Sequence, residues 1–129
     1  MAQVLKAVAV AMLLLMGAVA PAAAPPVVVS SKLSSESAML GQMIRLLLED
    51  RGIPTLDRMT LGATPVVRKA LLAGEIDLYV EYTGNAGFFF NRPNDPAWKD
   101  LQLGYELGSK LDLAANHIVW LAPAPASNA

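Results

Sequence analysis

The chain has 129 residues, enough for one small domain, with 54% apolar residues and a formal net charge of −1. So weak a charge excludes the basic field of a nucleic-acid binder. Cysteine is absent, which excludes disulfides, thiolate metal sites and thiol catalysis.

The N-terminus carries one lysine, Lys6, and then an apolar run from Ala7 to Ala20. Small residues follow in Ala20-Pro21-Ala22-Ala23-Ala24. This order predicts a secretory signal peptide over residues 1–24, with Ala20 and Ala22 as the small pair before the cut. The alternative is an uncleaved membrane anchor, but the apolar run is shorter than the ~20 residues of a spanning helix. The remainder is expected to be exported, to be soluble and not to span the membrane.

Val27-Val28-Val29 is a β-branched run suited to a strand buried on both faces of a parallel sheet. It ends in Ser30-Ser31-Lys32-Leu33-Ser34-Ser35-Glu36, where Ser34 or Ser35 can cap a helix. Met39, Leu40, Met43, Ile44 and Leu47 then recur at helical spacing, with Gln42, Arg45 and Glu49 opposite. Gly52 is a natural C-terminal stop and Pro54 prevents resumption. Met59 and Leu61 mark a second short strand. Thr64 is expected to cap the next helix with Pro65 at its first position. Val66, Val67, Ala70 and Leu71 supply its apolar stripe, and Arg68 and Lys69 are expected to face water. Gly74 stops it.

The most informative stretch is Gly74-Glu75-Ile76-Asp77-Leu78-Tyr79-Val80-Glu81-Tyr82-Thr83-Gly84-Asn85. Ile76, Leu78 and Val80 alternate with polar residues, the period of a strand with one buried face. Residues 27–82 therefore read as β-α-β-α-β, whose crossovers make a parallel sheet. Beyond Asn85, Phe88-Phe89-Phe90 leads into a loop rich in Asn and Pro. A third helix is expected from near Pro96 toward Leu111. Asp112 to Asn116 reads as a connection, and His117 to Leu121 as a fourth strand.

Enzyme signatures are sparse. There is no dinucleotide fingerprint and no phosphate loop. The single histidine, His117, falls in an apolar run and reads as structural. Glu75, Asp77 and Glu81 alternate along one strand face. They could serve acid–base chemistry in a secreted hydrolase, or simply meet solvent and neighbouring loops. Phe88, Phe89 and Phe90 suit a packed contact or a pocket wall. Tyr82 lies just past a strand end, where open α/β sheets bind ligands, and Lys32 holds the same place after the first strand. Tyr82 can be a buried structural phenol or a ring facing a cation. With Lys32, it would suit a zwitterion.

The motifs Ser31-Lys32-x-x-x-Glu36, Leu61-Gly62-x-Thr64-Pro65-Val66-Val67-Arg68-Lys69-Ala70-Leu71, Gly74 to Asn85 as written above, and Trp120-Leu121-x-Pro123-Ala124-Pro125-Ala126-x-Asn128 occur here in order. Together they resemble the substrate-binding proteins of osmoprotectant ABC transporters, over roughly residues 27–128. The resemblance implies a type II periplasmic-binding-protein fold, a two-lobed α/β architecture that closes on glycine betaine, choline or a related quaternary ammonium compound. It implies a permease partner, a periplasmic location, a monomer when full length, no catalysis, and neither cofactor nor metal. It assigns ligand binding to Lys32, Tyr82, Thr83 and Asn85. Family members often have threonine where Asn85 stands, so the polar contact has different geometry here. Family members also have about twice this mature length. Residues 25–129 are thus expected to be the N-terminal, β-α-β-α-β part of the first lobe, with the second lobe absent. A cytoplasmic effector domain of the same fold is the alternative, and the signal peptide argues against it.

Overall fold

The computed structural model describes residues 23–124. All but the last two residues of the expected signal peptide, and Pro125, Ala126 and Asn128 of the C-terminal motif, lie outside them. The elements in order are β1 (Val27–Lys32), α1 (Ser35–Asp50), β2 (Thr55–Gly62), α2 (Thr64–Leu72) and β3 (Leu78–Tyr79), then a 3-10 turn (Thr83–Asn85). A short α3 (Ala86–Phe89), a second 3-10 turn (Pro96–Lys99) and α4 (Leu101–Asn116) complete the chain.

The β-α-β-α-β expectation is realised as a three-stranded parallel sheet in the order β2-β1-β3. The β-branched β1 lies in the centre, and its Val29, Ser30 and Ser31 are fully buried. The first crossover goes to one side of β1 and the second returns to the other. The strand order thus switches at the carboxyl end of β1, where such sheets open a crevice. Pairing of β1 with β2 shifts between Ser30↔Arg58 and Lys32↔Gly62, a bulge in β2. Thr60 takes a φ of 53° there, and its N–H donates to Ser31 Oγ at 2.8 Å. That hydroxyl replaces a ladder partner the bulge removes.

The third strand is much shorter than the alternation predicts. Only Leu78 and Tyr79 pair, with Val29 and Ser30. The Asp77 carboxylate explains part of this: Oδ2 accepts the Val28 N–H at 2.7 Å, so a side chain takes over what backbone would do. Ile76 is buried with Val67 and Ala70 in the small core beneath β1.

Ser34 caps α1, accepting the Ser37 N–H at 3.2 Å, as expected of one of the two serines. Ser34→Ala should cost ~1 kcal/mol of stability in urea unfolding. An unchanged midpoint would mean that water replaces the cap without loss. The face of α1 on the sheet is not the expected one. Ser37 and Gly41 are buried, while Met39, Met43, Leu46 and Leu47 are each more than half exposed. Two local contacts set this rotation. A Cβ on Gly41 would lie 2.6 Å from Met59 Sδ, so a larger residue there would require the Met59 side chain to shift. Arg45 leans on β2 as well, donating to Thr55 Oγ1 at 2.9 Å and Asp57 Oδ2 at 2.7 Å.

Thr64 does not cap α2. The cap position is Ala63, without a side-chain hydrogen bond, and Thr64 and Pro65 are already helical. Gly52 and Gly74 end the first two helices at φ 73° and 72°, as expected of glycine.

The C-terminal third departs most from expectation. Asp112 to Asn116 is the last turn of α4, not a connection. His117 ends the helix in the left-handed region at φ 57°, and it is exposed rather than set in an apolar strand. Residues 117–121 pair with no strand among the described residues. Their fixed point is Trp120, whose indole packs on α4.

Candidate binding site at the strand ends

Lys32 ends β1, and Tyr82 opens the 3-10 turn after β3. Because β1 and β3 are adjacent and parallel, both residues come to the same edge of the sheet. Between them stands Glu81. Its Oε1 accepts from Lys32 Nζ at 2.5 Å, from the Tyr82 N–H at 2.8 Å and from Asn85 Nδ2 at 2.7 Å. Its Oε2 accepts from the Tyr79 hydroxyl at 2.8 Å. One carboxylate thus bonds to three of the four residues assigned from sequence, Lys32 and Asn85 through their side chains and Tyr82 through its backbone N–H.

The Lys32 ammonium also stands 4.6 Å from the centroid of the Tyr82 ring. That is within the range of a cation–π contact, so the ring face is disposed to hold a cation. Lys32 is 8% exposed, whereas Tyr82 is only half-buried and presents more of its ring outward. The fourth residue, Thr83, is turned partly toward α4: a Cβ on Gly104 would meet Thr83 Cγ2 at 3.3 Å.

The phenols respond to these carboxylates. The Glu36 carboxylate at the Tyr82 hydroxyl raises that phenol above its ordinary pKa, and Glu81 adds to the effect. Burial raises Tyr79 further, and the Glu81 charge and hydrogen bond act in the same direction. Both hydroxyls therefore stay protonated donors at neutral pH.

The carboxylate row Glu75, Asp77 and Glu81 does not form an acid–base pair. Glu75 is exposed, Asp77 holds a backbone N–H, and Glu81 carries four donors. A carboxylate with its lone pairs so occupied is poorly placed to take a proton from a substrate. Among the described residues no three His, Cys, Asp or Glu side chains cluster to hold a metal.

Beside Asn85 lies a cavity of about 520 Å³, walled by Thr64, Pro65, Arg68, Lys69, Phe88 and Phe89 among others. Phe89 stacks on the Arg68 guanidinium at 4.5 Å, while Phe88 is 74% exposed. Arg68 does not face water as expected. It is buried and grips Asp112 of α4 with two hydrogen bonds of 2.7 and 2.6 Å.

Residues 25–129 match the family described as the substrate binding domain of the ABC-type glycine betaine transport system. The chain belongs to that family. It is 54% identical over 106 residues to the glycine betaine-binding protein YehZ of Escherichia coli K12, covering 82% of this chain and 35% of that protein. A solved structure, apo YehZ from Escherichia coli, superposes with a TM-score of 0.80 at 53% identity, covering 81% of this chain and 37% of that one. A shorter match, 45% identical over 62 residues, covers 47% of this chain and 11% of the ergothioneine transport permease/ergothioneine binding protein EgtU of Helicobacter pylori G27. The chain thus spans about a third of the length of the Escherichia coli relative and a smaller share of the second. The α/β fold with a parallel sheet is that of a periplasmic binding protein.

Of the site, Lys32, Tyr82 and Asn85 were legible as strand-end residues, and the structure brings them together. Glu81 and Glu36 were not read as members of the group. The available signal for Glu81 was its alternation with Tyr79, together with a lysine at a strand end that required an anion to be buried.

Proposed function

We propose that this chain forms part of the extracytoplasmic substrate-binding component of an ABC importer, with glycine betaine or a related quaternary ammonium compound as ligand. Its Tyr82 ring faces the methylated ammonium, and Lys32, Thr83 and Asn85 lie toward the carboxylate end. The observation that carries this reading is the half-buried ring of Tyr82 at the strand-switch crevice, which already holds the Lys32 ammonium 4.6 Å from its centroid. Family membership and the printed function of the Escherichia coli relative support the ligand class. The partner is a membrane permease, and the mature chain acts outside the cytoplasmic membrane after loss of residues 1–24. Among the described residues no helix is long and apolar enough to cross a membrane.

The test is calorimetric titration of the purified whole protein with glycine betaine. A cation over a ring is worth ~0.5–1 kcal/mol when exposed and ~2 or more when desolvated. Each 1.4 kcal/mol is about tenfold in affinity. Tyr82→Ala should therefore weaken binding about tenfold, while Tyr82→Phe keeps the ring and should cost much less. A folded Tyr82→Ala variant that binds betaine as tightly as the parent would make Tyr82 a structural tyrosine.

A larger ligand of the same class is the second reading. Ergothioneine is likewise a trimethylated betaine, with an imidazole-derived ring. The cavity beside Asn85, with Phe88 and Phe89 in its wall, offers an apolar surface for such a ring. Titration with both compounds separates the two readings.

A further inference from the structure

Building on the quaternary-ammonium reading, we infer that Glu81 is a specificity-determining residue: its charge cancels that of Lys32, and it thereby sets the preference between zwitterionic betaines and cationic alcohols such as choline. In that reading, Lys32 Nζ and Asn85 Nδ2 are the side-chain nitrogens that meet the ligand carboxylate. Both donate to the same oxygen, Glu81 Oε1, at 2.5 and 2.7 Å. Lys32 and Glu81 side chains are 10% and 15% exposed, so the pair is weakly screened by water.

A carboxylate that approaches Lys32 must also approach Glu81. Attraction to the ammonium is offset by repulsion from the anion bonded to it. A hydroxyl in place of the carboxylate meets neither effect at full strength. Glu36, the other carboxylate here, acts on the Tyr82 hydroxyl, while Lys32 is bonded to Glu81. Arg68, a further cation within reach of Glu81, is held by Asp112 through two hydrogen bonds, so Glu81 is the group that removes the positive charge of Lys32.

The experiment compares glycine betaine and choline by titration calorimetry on the purified whole protein. Glu81→Gln keeps the shape of the hub. Its amide oxygen can still accept from Lys32, Asn85 and the Tyr82 N–H, and its NH2 can donate to a rotated Tyr79 hydroxyl. The charge is lost, and the Tyr79 hydroxyl turns from donor to acceptor. The betaine-over-choline affinity ratio should rise about tenfold or more, since like and opposite charges at such range exceed that in a poorly screened site. Lys32→Met is the opposite arm, because it leaves Glu81 uncompensated and should lower the ratio by a similar factor. In the double variant the ratio should fall back near the parent value. Any of three results overturns the inference: a ratio unmoved or lowered by Glu81→Gln, a ratio unmoved or raised by Lys32→Met, or a double variant that keeps the single variant's ratio. Should Glu81→Gln not fold, the Lys32→Met arm decides alone. A parent protein that binds neither compound would instead remove the quaternary-ammonium reading itself.

Discussion

Replacing Asp112 by alanine should destabilise the protein by ~3–5 kcal/mol, the cost of removing one partner of a buried ion pair. Asp112 is fully buried, and four hydrogen bonds converge on its carboxylate. Two come from Arg68, one from Asn116 Nδ2 at 2.9 Å and one from Trp120 Nε1 at 2.8 Å. The alanine variant strands the Arg68 guanidinium, itself 8% exposed, without its hydrogen-bonding carboxylate and against the Phe89 ring. Urea unfolding of the whole protein measures the loss. The double variant Arg68→Met/Asp112→Leu, which removes both charges, should lose far less than the sum of the single changes. A single change that costs under about 1 kcal/mol would mean that water reaches the pair and solvates what remains.

The same pair has a pH signature. Burial alone would raise the Asp112 pKa, but the hydrogen bonds from Arg68, Trp120 and Asn116 outweigh burial and hold the carboxyl below its usual range. The folded state then binds this proton more weakly than the unfolded chain does. Its contribution is fully present above the unfolded carboxyl pKa of ~3.9 and is lost as pH falls through the lower folded value. Arg68 shows the reciprocal effect: burial pulls its pKa down, Asp112 raises it more, and it stays charged throughout. Acid unfolding below about pH 4 should thus be blunted in Asp112→Asn, which cannot titrate at that position.

These residues also mark where sequence reasoning stopped. The first two crossovers were legible because their signals are local. Val27 to Val29 is a short β-branched run, Ser34 sits three residues before the N–H it caps, and Gly74 ends α2 at positive φ. Arg68 was read as a solvent-facing partner of Lys69 because its anion lies 44 residues away, on a helix whose last turn looked like a loop. The stripe on α1 misled for a similar reason. Apolar periodicity says which face is apolar, but the close approach at Gly41 and the contacts of Arg45 decided which face meets the sheet. At the site, Lys32 and Tyr82 could be placed by topology alone, since each follows a strand of a parallel sheet. Their mutual geometry could not, because it depends on Glu81, and alternation says only that Glu81 shares a face with Tyr79.

The segment 117–121 gives the last and most local test. Ile118, Val119 and Trp120 have the composition of a strand, yet Trp120 is held by α4 and not by a neighbouring strand. A Cβ on Gly108 would lie 2.5 Å from Trp120 Cη2 and 2.9 Å from Cζ3, so the helix has a notch cut to the depth of the indole. The Tyr105 ring stands 6.2 Å from that of Trp120, and its hydroxyl donates to the Trp120 carbonyl at 3.3 Å. The indole cannot slide aside without giving up its bond to Asp112. Leucine at position 108 gains up to ~1 kcal/mol of helix propensity over glycine, yet it fills the notch. Overpacking of this kind costs ~1–3 kcal/mol, and here it also unpairs a buried carboxylate oxygen, so the upper end of that range is expected. Gly108→Leu in a Trp98→Phe background, which leaves Trp120 as the sole tryptophan, should therefore unfold at lower urea and shift its fluorescence to the red as the indole is expelled into water. An unshifted spectrum with an unchanged midpoint would place Trp120 elsewhere, and residues 117–121 would then need another partner to hold them.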